Sequence, residues 1–238
     1  MRIAILSDIH GNMEPLYSLT EPYDELWVLG DLVNYGPDPG AVIDFVRAHA
    51  TVVVQGNHDR AVGFNEDPRC SSPYRQMAKE TMEFTRSVLS RDQIEYLASL
   101  PLMVERTVED TKFVICHAAP SDPLYKYVPA NSPQWEREME LVSADFLLVG
   151  HTHTPFIQSV GVSVVVNPGS LGQPKTGTPQ ACYAMWERGV VLRSTDYEIE
   201  RTLARIDRMP VSLRVRESLK TVLLTGGLST SPESLIQT

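Results

Sequence analysis

Five short apolar runs in this chain each end on residues that can bind a metal ion. Ile3-Ala4-Ile5-Leu6 leads into Asp8 and His10, and Leu26-Trp27-Val28-Leu29 leads into Gly30-Asp31. Val52-Val53-Val54 precedes Gly56-Asn57-His58-Asp59, and Phe113-Val114-Ile115-Cys116 precedes His117. The last, Phe146-Leu147-Leu148-Val149, precedes Gly150-His151-Thr152-His153. Short apolar runs rich in β-branched residues read as buried strands. In α/β sheets, function collects in the crevice beyond the carboxyl ends of the strands. One rule of folding therefore gathers Asp8, His10, Asp31, Asn57, His58, His117, His151 and His153 in one place. That is enough groups for two metal ions side by side.

The spacing supports this. Asp8-x-His10 and His151-x-His153 share one interval, and along an extended chain residues i and i+2 point the same way. Asp31 and Asn57 each follow a glycine, which permits a sharp turn and close backbone approach to a ligand. Carboxylate can bridge two cations, and imidazole suits Mn, Fe, Co, Ni or Zn. The absence of thiolate from the set argues against a structural zinc. Two ions about 3.5–4 Å apart would hold a hydroxide between them and clamp a phosphoryl group for in-line attack. Of six histidines, five stand at run ends. The sixth, His49, ends a helix, where a solvated or dipole-stabilised role suffices.

The formal net charge of −9 argues against binding to duplex nucleic acid or anionic membranes. It is compatible with a small phosphorylated substrate, because bound divalent cations reverse the field locally. The three cysteines, Cys70, Cys116 and Cys182, form no close pair. That count indicates neither a disulfide framework nor a zinc finger and fits a reducing cytoplasm. The chain opens directly on a strand, with no signal-peptide pattern, and no apolar run is long enough to span a bilayer. The expected location is cytoplasmic.

The first half alternates strand and helix, with helices near Met13–Thr20 and Gly40–Ala48, which implies a largely parallel sheet. From about 61 to 100 the pattern is helical, with a capping box at Ser90-Arg91-Asp92-Gln93. This reads as an inserted helical pair beside the site, either packing helices or a lid. Strands are expected at Leu102–Arg106, Thr111–Cys116, Asp145–Val149, Val162–Val166, Ala181–Trp186 and Val190–Thr195. Helices follow at Ile199–Asp207 and Val211–Leu224. Residues 1–224 form the expected domain, and 225–238 a flexible tail.

The run-end residues resemble the calcineurin-like metallophosphoesterases, whose pattern is D-x-H, G-D, G-N-H-D/E, H and G-H-x-H. Here it stands, complete and in order, as Asp8-Ile9-His10, Gly30-Asp31, Gly56-Asn57-His58-Asp59, His117 and Gly150-His151-Thr152-His153. The resemblance implies an α/β fold, a four-layer αββα sandwich of two mixed sheets flanked by helices. It also implies ligand roles. Asp8, His10 and His153 would hold one divalent metal ion, Asn57, His117 and His151 a second, and Asp31 would bridge. The ions would be Mn, Fe, Zn, Ni or Co, with manganese first. His58 would bind no metal and would protonate or stabilise the leaving oxygen.

Finer features point within the family. Protein Ser/Thr phosphatases carry G-D-x-V-D-R-G at the second motif. This chain has Gly30-Asp31-Leu32-Val33-Asn34-Tyr35-Gly36, so Asn34 replaces the aspartate that orients the catalytic histidine and Tyr35 replaces the phosphate-binding arginine. Tyr35-Gly36-Pro37-Asp38-Pro39, and the stretch from Val166 to Pro174, resemble small prokaryotic phosphodiesterases. A departure occurs at His117-Ala118-Ala119-Pro120-Ser121, where many relatives have His-Gly-Ser-Pro-Arg. Lys126 could serve instead of that arginine, or be a solvated surface lysine. Tyr125, Tyr127 and Trp135 either overhang the site, where they could stack a nucleobase, or pack their own loop. Arg60 either meets a phosphate or pairs with Asp59. Cys116 should face the core.

The expected activity is hydrolysis of a small nucleotide-like phosphodiester. A phosphomonoesterase and a non-catalytic protein-binding scaffold, such as the retromer subunit that resembles this fold, are the alternatives. Oligomeric state is not legible.

Overall fold

The computed structural model describes residues 1–228; the rest of the expected tail, 229–238, lies outside the described residues. Among the described residues, ten strands form two mixed five-stranded sheets. The first has the order β10-β9-β1-β2-β3, with β1 at Ile3–Leu6, β2 at Glu25–Val28, β3 at Val52–Val53, β9 at Ala181–Trp186 and β10 at Val190–Thr195. The second has the order β4-β5-β6-β8-β7, with β4 at Met103–Val108, β5 at Thr111–Cys116, β6 at Phe146–Leu148, β7 at Phe156–Val160 and β8 at Ser163–Asn167. β1, β2 and β3 run parallel, as do β5, β6 and β8.

Side-chain alternation sorts the layers. Ile3, Ile5, Trp27 and Leu29 from the first sheet meet Phe113, Ile115 and Leu148 from the second, forming the core between the sheets. Trp27 and Phe113 cross it edge to face at 5.2 Å, worth about 0.5–1.5 kcal/mol beyond burial. The alternate residues Ala4, Leu6, Leu26 and Val28 face outward. They pack under α2 (Pro39–His49), α3 (Asn57–Phe64) and α5 (Arg91–Ser99). Val114, Cys116 and Leu147 point out of the second sheet onto α6 (Gln134–Met139), whose Trp135 is buried. A further cluster joins α4 (Arg75–Val88), α7 (Ile199–Ile206) and α8 (Leu213–Thr225). The four-layer αββα arrangement is thus the one the family resemblance implies. No helix among the described residues is long and apolar enough to cross a membrane.

Local signals explain most boundaries. Ser90 and Gln93 make both bonds of the capping box that starts α5. α8 ends where Gly226 adopts φ 73°, a conformation glycine adopts without a Cβ clash. The first helix, α1, is only Glu14–Tyr17, much shorter than the expected Met13–Thr20. β7 has no counterpart among the expected strands. Gln158 and Ser159 dilute its apolar signal, and antiparallel pairing with β8 supplies what periodicity does not.

Candidate metal centre

The carboxyl ends of β1, β2, β3, β5 and β6 meet at one edge of the sandwich. Backbone bonds continue past the strand ends there. Asp8 N–H donates to the Gly30 carbonyl at 3.0 Å and His10 N–H to that of Asp31 at 2.9 Å. The Gly150 N–H donates to the His117 carbonyl at 2.7 Å. Gly30, at φ 91°, sits so close to Gly56 that a Cβ would collide with its backbone. The predicted ligands are brought together and are buried, His151 alone being half-exposed.

The backbone at the paired motifs is not extended, so side-chain alternation with period two does not aim them. Asp8, His10, Asp31, His151 and His153 all have left-handed backbones, with φ of 54°, 50°, 55°, 64° and 59°. These residues lie beyond the extended segments. Alternate left-handed residues, rather than a pleat, aim each pair inward. Such conformations are costly for non-glycine residues and persist where surrounding structure enforces them.

The donor atoms are pre-set. His10, His117 and His153 each direct Nδ1 at a backbone carbonyl, of Val33 (3.0 Å), Leu29 (2.8 Å) and Gln173 (2.7 Å) respectively. Donation of the Nδ1 proton there turns each Nε2 lone pair inward, the second-sphere arrangement typical of metal-ligating histidine. His10 Nε2 and His153 Nε2 stand 3.2 Å apart. Asp8 Oδ1 lies 3.2 Å from His153 Nε2 and has no hydrogen-bond partner among the described residues. Its other oxygen accepts from Ser7 Oγ and His151 N–H. On the far side, Asn57 Oδ1 is 3.1 Å from His117 Nε2 and 3.2 Å from His151 Nδ1. Asp31 connects the halves. Its Oδ1 accepts from the His58 N–H at 2.8 Å, while Oδ2 lies 3.7 Å from His10 Nε2 and 3.3 Å from His117 Nε2. Buried acceptors converging without donors between them fit divalent cations.

Charge follows this geometry. Burial opposes ionisation of Asp8 and Asp31, but neighbouring imidazoles, His153 for Asp8 and His117 with His58 for Asp31, hold both carboxyls below the usual range. Burial lowers His10 and His153 and brings His151 to about 3, so these rings are neutral at physiological pH, the state in which imidazole can bind a metal. On His117 burial is outweighed by the Asp31 carboxylate, which pushes the ring up to about 9. Metal-free protein below that pH carries a proton where a metal needs the lone pair. Metal loading at neutral pH should therefore release about one proton from His117, with affinity rising as pH rises. Calorimetric titration in two buffers of different ionisation enthalpy measures it. No proton release at neutral pH would contradict His117 ligation.

His58 stands differently. Its Nδ1 is 2.8 Å from the Asn34 amide and its Nε2 3.3 Å from Cys70 Sγ, so both nitrogens have partners. Its ring atoms do approach His10 and Asp31 closely enough for a shared ion. Unlike the Nε2 atoms of His10, His117 and His153, which face other atoms of the ligand set, His58 Nε2 meets a thiol outside it, which argues for a proton-carrying role instead. Burial disfavours the cation, yet Cys70 and Asp31 outweigh it and push His58 up to about 9. Asn34 Oδ1 is buried without a partner. Turned about its last torsion, the amide can accept from a protonated Nδ1, so it serves both states of the ring, whereas a carboxylate favours only the cation. Asn34→Asp should therefore move the basic limb of a pH–rate profile upward by about one unit; an unmoved limb would break the link.

The secondary candidates divide. Tyr125 and Tyr127 line a cleft of about 270 Å³ that opens on Asp31, Asn57, His58, His151 and His153. Trp135 does not overhang it; the indole is buried and donates to the Pro129 carbonyl at 3.1 Å. Lys126 turns away to Glu138 at 2.6 Å. Arg60 pairs with Glu66 at 3.3 Å, because Asp59 is buried, accepting from the N–H groups of Asp31, Leu32 and Gly56. Cys116 faces the core, where burial pushes its thiol up. The cleft also takes in Arg69, Cys70, Tyr74 and Lys175, which the motif reading missed. No local pattern marks them, since they come from loops distant in sequence.

Residues 1–188 match the calcineurin-like phosphoesterase superfamily domain. The chain is 28% identical to a metallophosphoesterase of Sphaerobacter thermophilus whose crystal structure superposes with a TM-score of 0.79, covering 95% of this chain and 99% of that one. It is 27% identical over 234 residues to an uncharacterized protein of Methanocaldococcus jannaschii, spanning 87% of this chain and 93% of that one. It is 25% identical over 206 residues to the phosphodiesterase YfcE of Escherichia coli, spanning 80% and 90% respectively. With its motifs, its sandwich and its ligand cluster in agreement, the chain belongs to the calcineurin-like phosphoesterase superfamily.

Proposed function

We propose that this protein is a cytoplasmic phosphodiesterase that hydrolyses a small nucleotide-like phosphodiester with the help of two divalent cations, manganese first among them. The catalytic unit is residues 1–224. Asp8, His10 and His153 would hold one cation, Asn57, His117 and His151 the other, and Asp31 would serve both. The observation that carries the reading is Asp31 Oδ2, which lies between His10 Nε2 and His117 Nε2, one from each set. Two such cations supply a water deprotonated at neutral pH and neutralise charge on the phosphoryl oxygens.

The remaining work falls to the chain itself. His58 borders the cleft, and Cys70 and Asp31 push its ring up to about 9 against the effect of burial, so it is suited to protonating the departing oxygen. Asn34 orients that ring through Nδ1. Tyr127, with 59% of its surface exposed, offers a free ring for stacking a base. Tyr35 fills the place of an arginine that would favour a dianionic monoester, and its ring packs against His58 at 4.8 Å. This is the feature that favours a diester.

The test is parallel assay of metal-stripped, Mn²⁺-reloaded protein on bis-p-nitrophenyl phosphate and p-nitrophenyl phosphate. Faster diester turnover is expected. Preference for the monoester would replace the proposal by a phosphomonoesterase, and no turnover of either with both cations bound would favour a scaffold.

A further inference from the structure

Two cations face the cleft without a counter-ion. Arg69 is exposed and Lys175 half-buried, and both line the same cleft as His58 and the ligand cluster. Among the described residues neither side chain has an ion pair or hydrogen bond. Arg47, Arg60, Lys126, Arg193, Arg205 and Lys220 all pair with carboxylates. Arg69 and Lys175 lie instead on aromatic rings. The Arg69 guanidinium sits 4.3 Å from the Tyr125 ring centroid, and the Lys175 ammonium 4.6 Å from that of Tyr74. A ring orients a cation without cancelling its charge, so the charge stays available to an anion.

Each cation is also mounted on a metal-ligand support. Asn57, whose oxygen faces His117 and His151, donates its amide N–H to the Pro68 carbonyl at 2.7 Å. The next residue, Arg69, has a left-handed backbone at φ 56°, with its N–H capped by Asp67 Oδ1 at 2.7 Å. On the other side His153 Nδ1 meets the Gln173 carbonyl at 2.7 Å, two residues before Lys175. One cation is thus tied to each end of the cluster. The cluster and His58 already provide for one phosphoryl group, leaving Arg69 and Lys175 in excess of a single ester.

We infer that Arg69 and Lys175 form a subsite for a second phosphate, so that the cleft selects nucleotides carrying at least two linked phosphates. This rests on the phosphodiesterase reading and narrows its substrate. Guanidinium grips phosphate oxygens through paired N–H groups, and ammonium acts as a point charge.

Calorimetric binding of AMP and of α,β-methylene-ADP, which resists cleavage between its phosphates, to Mn²⁺-loaded protein tests the subsite. The wild type should bind the diphosphate at least about tenfold tighter than AMP. Arg69→Gln and Lys175→Gln should each reduce that ratio several-fold and together bring it near one. Lys175→Arg, which keeps the charge, should retain most of it. Because each ratio compares two ligands on one protein, a general loss of affinity cancels. A ratio unchanged in both glutamine variants, or no preference in the wild type, overturns the subsite. Failure of the wild type to hydrolyse bis-p-nitrophenyl phosphate would overturn the phosphodiesterase reading instead, and the binding ratio remains measurable.

Discussion

Replacing His58 by alanine should lower diester turnover by about 10²–10⁴-fold, the range for loss of a positioned general acid, while two metal ions stay bound. The separation of the two readouts is what makes the experiment informative. His58 is engaged at Nδ1 by Asn34 and at Nε2 by Cys70, whereas His10, His117 and His153 aim Nε2 at one another's cluster. Removing the ring therefore takes a proton donor from the leaving oxygen and leaves the ligand atoms in place. Its backbone N–H, the group that holds Asp31 Oδ1, survives the substitution. Metal analysis of the purified variant beside its kinetics decides the point. Loss of a metal ion with the imidazole would make His58 a ligand, and full turnover would deny it any catalytic role.

Asp31→Ala should do the reverse, removing metal and activity together. Its carboxylate oxygen Oδ2 lies 3.7 Å from His10 Nε2 and 3.3 Å from His117 Nε2, one imidazole of each set. Partners that merely orient a metal ligand are worth about 10–100-fold in metal affinity. A carboxylate shared by two cations should exceed that, so affinity is expected to fall by more than about 100-fold. The variant also leaves His117 without the carboxylate that holds its proton, and the proton released on loading should shrink. Stoichiometric metal binding by Asp31→Ala would refute the bridge.

The candidate centre was legible in the sequence to an unusual degree, because its chemistry is contiguous. Each ligand group follows a strand directly, and strand ends in a parallel sheet converge whatever the loops do. The apolar runs themselves were legible because the two sheets bury both faces of β1, β2 and β5. The edge strand β7, half exposed and mixed in polarity, was not.

Other features belong to tertiary structure alone. Motif spacing suggested extended pairs at Asp8-x-His10 and His151-x-His153, yet left-handed backbones aim them, a conformation forced by bonds to Gly30, Asp31 and Asp8 from other segments. Long charged side chains choose partners by proximity in space. Lys126 found Glu138 and Arg60 found Glu66, while Arg69 and Lys175, 106 positions apart in the chain, reached one cleft. Trp135 went to the core because α6 packs on the outer face of the second sheet. The sequence by itself determined which atoms could hold metal, since strand periodicity and ligand chemistry are local properties. The partners of His58 and the meeting of Arg69 and Lys175 at one cleft were decided only by tertiary packing, since those contacts join separate loops.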